Sequence, residues 1–252
     1  MEQKDPVTLF GLNINNVRLE QASVDLVSAA VNNQRRCVFF INAHCVNVAA
    51  AQEDYRRSLD SADLLYADGV GMNWAVRLSG QSLVDNVNGT DLFPILCRDA
   101  ADHGVSIAFL GASPGIAGRC AERMCERIPG LRVVWTHDGY FEEGDSAGLI
   151  SEINQSGASL LLVGMGVPKQ EIWISRYAES LTVPVLVGVG ALFDFYSGQI
   201  RRAPYFMRKC GFEWLYRLFL EPKRMFRRYL VGNPIFVFRA VQESLRRMIA
   251  KN

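Results

Sequence analysis

No pair of cysteines in this chain has the Cys-x-x-Cys spacing of a zinc or redox motif. The six are Cys37, Cys45, Cys97, Cys120, Cys125 and Cys210, and the nearest two stand five apart with no histidine at metal-ligand spacing. They are expected as reduced core or near-core thiols of a cytosolic protein. Histidine is scarce. His44 and His103 have no metal-like partners in the sequence, and His137 falls beside Asp138 in a loop-like stretch. A site with no metal and no cofactor is therefore the expectation. No run of about 18 apolar residues occurs, so no bilayer-spanning helix is expected. The stretch Met1-Glu2-Gln3-Lys4-Asp5-Pro6 has no apolar core and does not read as a secretory signal. No glycine turn is followed by Gly-Lys-Ser/Thr, which excludes a P-loop. None completes Gly-x-Gly-x-x-Gly with an acidic residue about 20 positions on, which argues against an NAD-type oxidoreductase.

What the chain does have is alternation. Its 252 residues suffice for a full core. After a short strand and turn at Val7 to Ile14, the apolar runs Cys37–Ile41, Leu64–Ala67, Val105–Leu110, Leu131–Trp135, Leu160–Val163 and Val183–Val187 read as strands. Between them lie stretches of helical period: Glu20 to Val31, His44 to Ala49, and Gly71 to Leu78. Further helices are read from Thr90 as N-cap to Ala101, Pro114 to Arg127, Ser146 to Asn154, and Pro168 to Leu181. This predicts an α/β fold with a Rossmann-like, mainly parallel sheet and helices on both faces. After Gly198 the pattern turns to helices only. The expected boundary separates a catalytic domain, 1–200, from a helical basic appendage, 201–252. The appendage carries 13 Lys+Arg against 3 Asp+Glu, while the remainder carries 14 against 23. Such asymmetry suits a polyanion or a membrane surface, or simply a solvated helical face.

Ligands of open parallel sheets bind beyond the carboxyl ends of the strands. Here those ends carry Asn42, Asp68, Gly111, Gly164, Gly166, Gly188 and Gly190. The glycine turns offer N–H groups to a phosphate, or are tight turns that need glycine and nothing more. Asp68 is the leading acidic candidate. Partial burial would raise its pKa toward that of a general base, and the same position would suit a helix N-cap. Asp194, between Phe193 and Phe195, is a cleft residue or a turn-former. Lys169 and Gln170 open a helix where they would face an anion or sugar hydroxyl, unless they only form an exposed first turn.

Several segments carry a family resemblance: Asn42-Ala43-His44, Ala67-Asp68-Gly69-Val70-Gly71, Gly89-Thr90-Asp91-Leu92, Leu110-Gly111-Ala112 and Val163-Gly164-Met165-Gly166-Val167-Pro168-Lys169-Gln170-Glu171. A further series runs from Gly190 to Tyr229, with Arg201-Arg202-Ala203-Pro204, Glu213-Trp214-Leu215-Tyr216-Arg217 and Glu221-Pro222. Together they resemble the bacterial glycosyltransferases that include the teichoic-acid N-acetylmannosaminyltransferases and the enterobacterial-common-antigen N-acetylmannosaminuronyltransferases. Exopolysaccharide glucosyltransferases such as the second enzyme of xanthan backbone assembly belong to the same group. The resemblance implies a UDP-sugar donor and a polyprenyl-diphosphate-linked sugar acceptor on the cytoplasmic leaflet. It implies inverting, metal-independent transfer with Asp68 as base, Gln170 in the site, and Arg217, Arg224 and Arg227 around the diphosphate. Asn42, His44, Asn86, Gly111, Gly166, Lys169 and Asp194 complete the expected substrate-binding set. Many members have Thr where this chain has Phe40, and Arg where it has Asn86. These departures lean toward the glucosyltransferase branch and leave the acetamido-sugar transferases as the alternative.

The final stretch has Ile235, Phe236, Phe238, Val241, Leu245, Met248 and Ile249 at near-helical spacing among arginines. It reads as an interfacial helix on an anionic membrane surface, with no nucleic-acid partner, peripheral on the inner face of the cell membrane. The alternatives for that apolar face are packing on the core and a homo-oligomer contact. A non-catalytic membrane-surface protein would explain the basic tail but not the polar residues gathered at the strand ends.

Overall fold

The computed structural model describes residues 5–250, apart from the side chains of Arg208, Lys209, Arg224 and Ala250. The chain opens with an antiparallel hairpin, β1 (Val7–Leu9) and β2 (Leu12–Ile14), and then α1 (Leu19–Val31). Next come β3 (Arg36–Ile41), α2 (Ala43–Ala49), α3 (Glu53–Asp60), β4 (Leu64–Ala67), α4 (Val70–Leu78) and α5 (Gly89–Asp102). The alternation continues through β5 (Ser106–Gly111), α6 (Ile116–Arg127), β6 (Arg132–His137), α7 (Ser146–Gln155), β7 (Leu160–Gly164), α8 (Lys169–Tyr177), β8 (Val185–Gly188) and α9 (Leu192–Tyr196).

Strands β3 to β8 form one all-parallel sheet in the order β4-β3-β8-β7-β5-β6. Alternate residues of the central strands feed two separate cores. Phe39, Ile41, Leu161, Val163 and Leu186 point to one face. Val38, Phe40, Leu160, Leu162 and Val187 point to the other. That is why these runs are continuously apolar. Helices α2, α3, α4, α7 and α8 cover the first face, and α1, α5, α6 and α9 the second. β3 and β8 are neighbours, yet β3 leads into α2 on one face and β8 into α9 on the other. The connections diverge there, and a crevice opens over the carboxyl edge of the sheet.

Two helix starts differ from the sequence reading. The α5 cap is Asn88, whose side chain accepts from Asp91 N–H at 2.8 Å, so Thr90 lies inside the helix. Helix α6 begins at Ile116 after a left-handed Gly115, so Pro114 sits in the preceding turn. The sequence reading also passed over α3 and the short α9.

The basic end forms α10 (Tyr205–Lys209), α11 (Glu213–Leu220), α12 (Pro222–Phe226), a π-helical turn at Arg227–Val231, and α13 (Gly232–Ala250). The chain breaks at Glu221 ahead of Pro222, as a proline at a helix start requires. Helix α13 is docked on the sheet domain. Phe236 is 2 % exposed, belongs to the first core, and lies 5.9 Å from the Phe10 ring. Asn47 Nδ2 donates to Gly232 O at 2.7 Å, Ser244 Oγ donates to Leu78 O at 2.8 Å, and Arg247 reaches Thr8 O. Phe236 is therefore removed from the set of residues expected to face a membrane. Phe238, Val241, Leu245, Met248 and Ile249 stay exposed. At roughly 100° per residue, Phe238, Leu245 and Ile249 fall on the side of α13 opposite Phe236, Ala240 and Ser244, and Val241 and Met248 lie on its flank. No helix of the described residues is long and apolar enough to cross a membrane.

Candidate active site

A cleft of about 680 Å³ lies over the ends of β3, β4, β7 and β8 and is closed on one side by the basic helices. Asn42 follows β3 and caps α2. Its Oδ1 accepts from the N–H groups of His44 at 3.1 Å and Cys45 at 3.2 Å. That fixes the amide, and Nδ2 is left to donate to Asp68 Oδ2 at 3.2 Å. Asp68 is half-buried one residue past β4. It is not a helix cap: the N-cap of α4 is Gly69. Loss of surrounding water pushes its carboxyl above the ordinary carboxylate range. The Asn42 hydrogen bond and the Arg228 and Arg217 charges pull it down, and Glu213 adds to the rise. A poorly solvated carboxylate is a stronger proton acceptor than one in water.

His44 also lines the cleft. Burial first, and the Arg228 charge second, push its imidazole down to about 4, so it is neutral at pH 7. Arg217, Arg227 and Arg228 line the same cleft from the basic helices. The Arg217 guanidinium lies 5.2 Å from the Phe195 ring centre, with Nη2 3.7 Å from Glu221 Oε2. The Nε atoms of Arg217 and Arg228 are buried without a hydrogen-bond partner among the described residues. Cationic donors held in this way are poised for an anion. The Arg224 side chain lies outside the described residues.

Gln170 is neither exposed nor open to solvent, being 3 % accessible at the cleft floor. Its Oε1 accepts from Gly166 N–H at 3.1 Å and from Gly190 N–H at 2.9 Å, and its Nε2 donates to Glu171 Oε1 at 2.8 Å. The expectation that these glycine turns present free N–H groups is thereby corrected at both positions, because the side chain of Gln170 already occupies them. Gly166 still lines the cleft. Gly111 does not. A Cβ there would come within 2.4 Å of Gly164 O, so glycine is required by the close approach of β5 and β7. Lys169 turns away from the cleft, donating to Gly139 O at 3.1 Å and lying over the Phe141 ring. Asn86 accepts from Gly69 N–H at 2.8 Å and so pins the turn behind Asp68 without lining the cleft. Asp194 sits in the first turn of α9 and is likewise not a lining residue.

Sequence reasoning missed Arg228. The family resemblance pointed to positions 217, 224 and 227, whereas the π-helical turn at Arg227–Val231 brings two consecutive arginines to the cleft. It also missed the apolar wall. Phe40 is nearly buried at the cleft edge, its ring 3.3 Å from where a Cβ on Gly89 would stand.

The arrangement puts a base of raised proton affinity beside several fixed cations at the carboxyl edge of a parallel sheet. It can remove a proton from a neutral nucleophile while holding an anionic leaving group. The architecture is that of a Rossmann-like α/β protein with an arginine-lined cleft where such sheets place their ligands. The family model described as "Glycosyl transferase WecG/TagA/CpsF family" matches residues 7–250, nearly the whole chain, and the protein belongs to that glycosyltransferase family.

Proposed function

We propose that the protein transfers a hexosyl group, glucosyl by preference, from a UDP-sugar to a polyprenyl-diphosphate-linked saccharide, with inversion at the anomeric carbon. The observation that carries this reading is Asp68, poorly solvated at the cleft floor and facing the Arg228 and Arg217 charges. Asp68 takes the proton of the acceptor hydroxyl as its oxygen bonds to the anomeric carbon. The bond from that carbon to the diphosphate oxygen breaks, and the diphosphate leaves with the electron pair. Arg217, Arg227 and Arg228 carry the growing negative charge, with no metal required. His44, neutral at working pH, is free to accept or donate a hydrogen bond to a sugar hydroxyl. Phe40 supports a hexosyl donor over an acetamido sugar, since it makes the adjoining wall apolar.

The exposed stripe of α13 and the basic segment around it hold the enzyme on the anionic cytoplasmic face of the cell membrane, beside its lipid-linked acceptor. The test is a panel of UDP-sugars assayed for transfer to a soluble lipid-diphosphate analogue. Asp68→Asn should lose on the order of 10²- to 10⁴-fold in turnover and keep donor binding. Turnover above half of wild type in that variant would remove Asp68 as the base.

A further inference from the structure

We propose that Glu171 is a positioning residue that works through Gln170, fixing the amide so that its oxygen ties two sheet-end turns together and its free N–H faces the donor sugar nucleotide. This rests on the glycosyl-transfer reading above. Glu171 is fully buried and lines no part of the cleft, so it touches no substrate itself. Its Oε1 accepts from Gln170 Nε2 at 2.8 Å. A carboxylate oxygen accepts, and so does the carbonyl oxygen of the protonated carboxyl, so in either state this contact suits the orientation of the amide with Nε2 toward Glu171. The flipped amide would set its NH₂ group against the N–H groups of Gly166 and Gly190, which now bond Oε1 at 3.1 and 2.9 Å.

The selected orientation leaves one hydrogen of Nε2 uncommitted. Nε2 lies only 3.0 Å from where a Cβ on Gly188 would stand, and Gly188 lines the cleft. Glycine at 188 thus keeps open the space through which that N–H meets a ligand oxygen. Glu171 Oε2 has no hydrogen-bond partner among the described residues. A buried carboxyl oxygen left without one destabilises a fold, so stability alone does not account for a carboxylate here. Orientation of Gln170 does.

The experiment is a double-mutant cycle on kcat/KM with Glu171→Ala, Gln170→Ala and the pair, plus amide hydrogen exchange at Gly166 and Gly190 in the free protein. Each single variant should lose roughly tenfold to hundredfold in kcat/KM, and the pair should be no worse than Gln170→Ala. Glu171→Gln offers an oxygen to the same Nε2 and should recover most of the loss. Exchange at Gly166 and Gly190 should quicken in Glu171→Ala. Additive losses, a folded Glu171→Gln as impaired as the alanine variant, or unchanged exchange would each overturn the proposal. Should Glu171→Ala not fold, the cycle is run with Glu171→Met, which fills the same space but removes the acceptor, and additivity there overturns it equally. Failure of the wild type to turn over any UDP-sugar would remove the UDP-sugar donor of the proposed function, and the exchange data alone would then decide the positioning role.

Discussion

Substituting Glu171 by glutamine should change how stability depends on pH, and the sign and size follow from the structure. Loss of water at a fully buried site raises this carboxyl from an ordinary 4.5 to about 7, against the opposing pull of the Gln170 amide and its own backbone N–H. Between those two pH values the unfolded chain has released the proton and the folded chain still holds it. Stability therefore falls as pH rises through this window, at about 1.4 kcal/mol per pH unit, and levels off above it. The whole window amounts to about 3 kcal/mol, which in a chain of this length moves Tm by roughly 6 to 12 °C. The ionisable neighbours do not interfere. Burial pushes the Cys45 thiol up to about 11 and the Tyr55 hydroxyl higher still, so both remain neutral throughout. Asp68 and His44 titrate in both proteins and cancel in the difference.

Denaturant unfolding of wild type and Glu171→Gln at pH 5 and pH 8 reads that difference directly. Going from the lower pH to the higher, the balance should shift toward the variant by about 3 kcal/mol. Parallel pH profiles for the two proteins would mean that Glu171 ionises normally, and the account of its burial would be wrong.

Three further outcomes are expected. In an NMR titration the His44 imidazole should stay neutral down to about pH 4, and because the unfolded chain takes up that proton first, stability should fall as pH drops from 6.5 toward 4; titration near 6.5 would mean that His44 is not buried as described. Phe236→Ala should destabilise by about 3–5 kcal/mol in denaturant unfolding, while Phe238→Ser should change stability by under ~0.5 kcal/mol and reduce sedimentation with anionic liposomes. Equal effects of the two substitutions on stability would contradict the two-faced helix. Transfer should persist in excess chelator, and loss rescued by Mg²⁺ or Mn²⁺ would replace the arginines as the main carriers of leaving-group charge.

The sheet could be read from sequence because its strands are buried on both faces and so show unbroken apolar runs. Leu160 to Val163 is an example: each residue is buried, alternately in one core and the other. Asp68 could be read because a strand end fixes where a side chain goes. Lys169 and Gln170 could not be told apart by that logic. They are adjacent in one helical turn, yet one turns out to Gly139 and the other in beneath the cleft. Nor could a sequence show that the N–H groups of Gly166 and Gly190 were already taken, since one side chain, Gln170, folds back on the turn four residues before it and reaches across to another twenty residues after it. Arg228 was hidden by a π-helical turn, whose extra residue defeats any argument from regular helical spacing.

The basic helices cannot be separated from the chemistry by a cut at residue 200. The sheet edge supplies Asp68 and Asn42, but Arg217, Arg227 and Arg228 enter the cleft from beyond that point. They are held by contacts that cross the same line: Arg202 to Asp91 at 2.7 Å, Asn47 to Gly232, and Phe236 in the core. Asn47 is the telling case, because it both lines the cleft and anchors the first turn of α13. A displacement of α13 from α2 would pull the adjoining π-helical turn, and with it Arg228, away from Asp68. Phe238, Leu245 and Ile249 lie on the opposite side of α13 from its buried seam, so a surface can engage them without unseating Phe236, Ala240 or Ser244. Membrane contact and an assembled cleft are thus compatible in one conformation. Arg217, Arg227 and Arg228 line the cleft in that same conformation, so under the proposed function no rearrangement is needed before a lipid-linked acceptor enters.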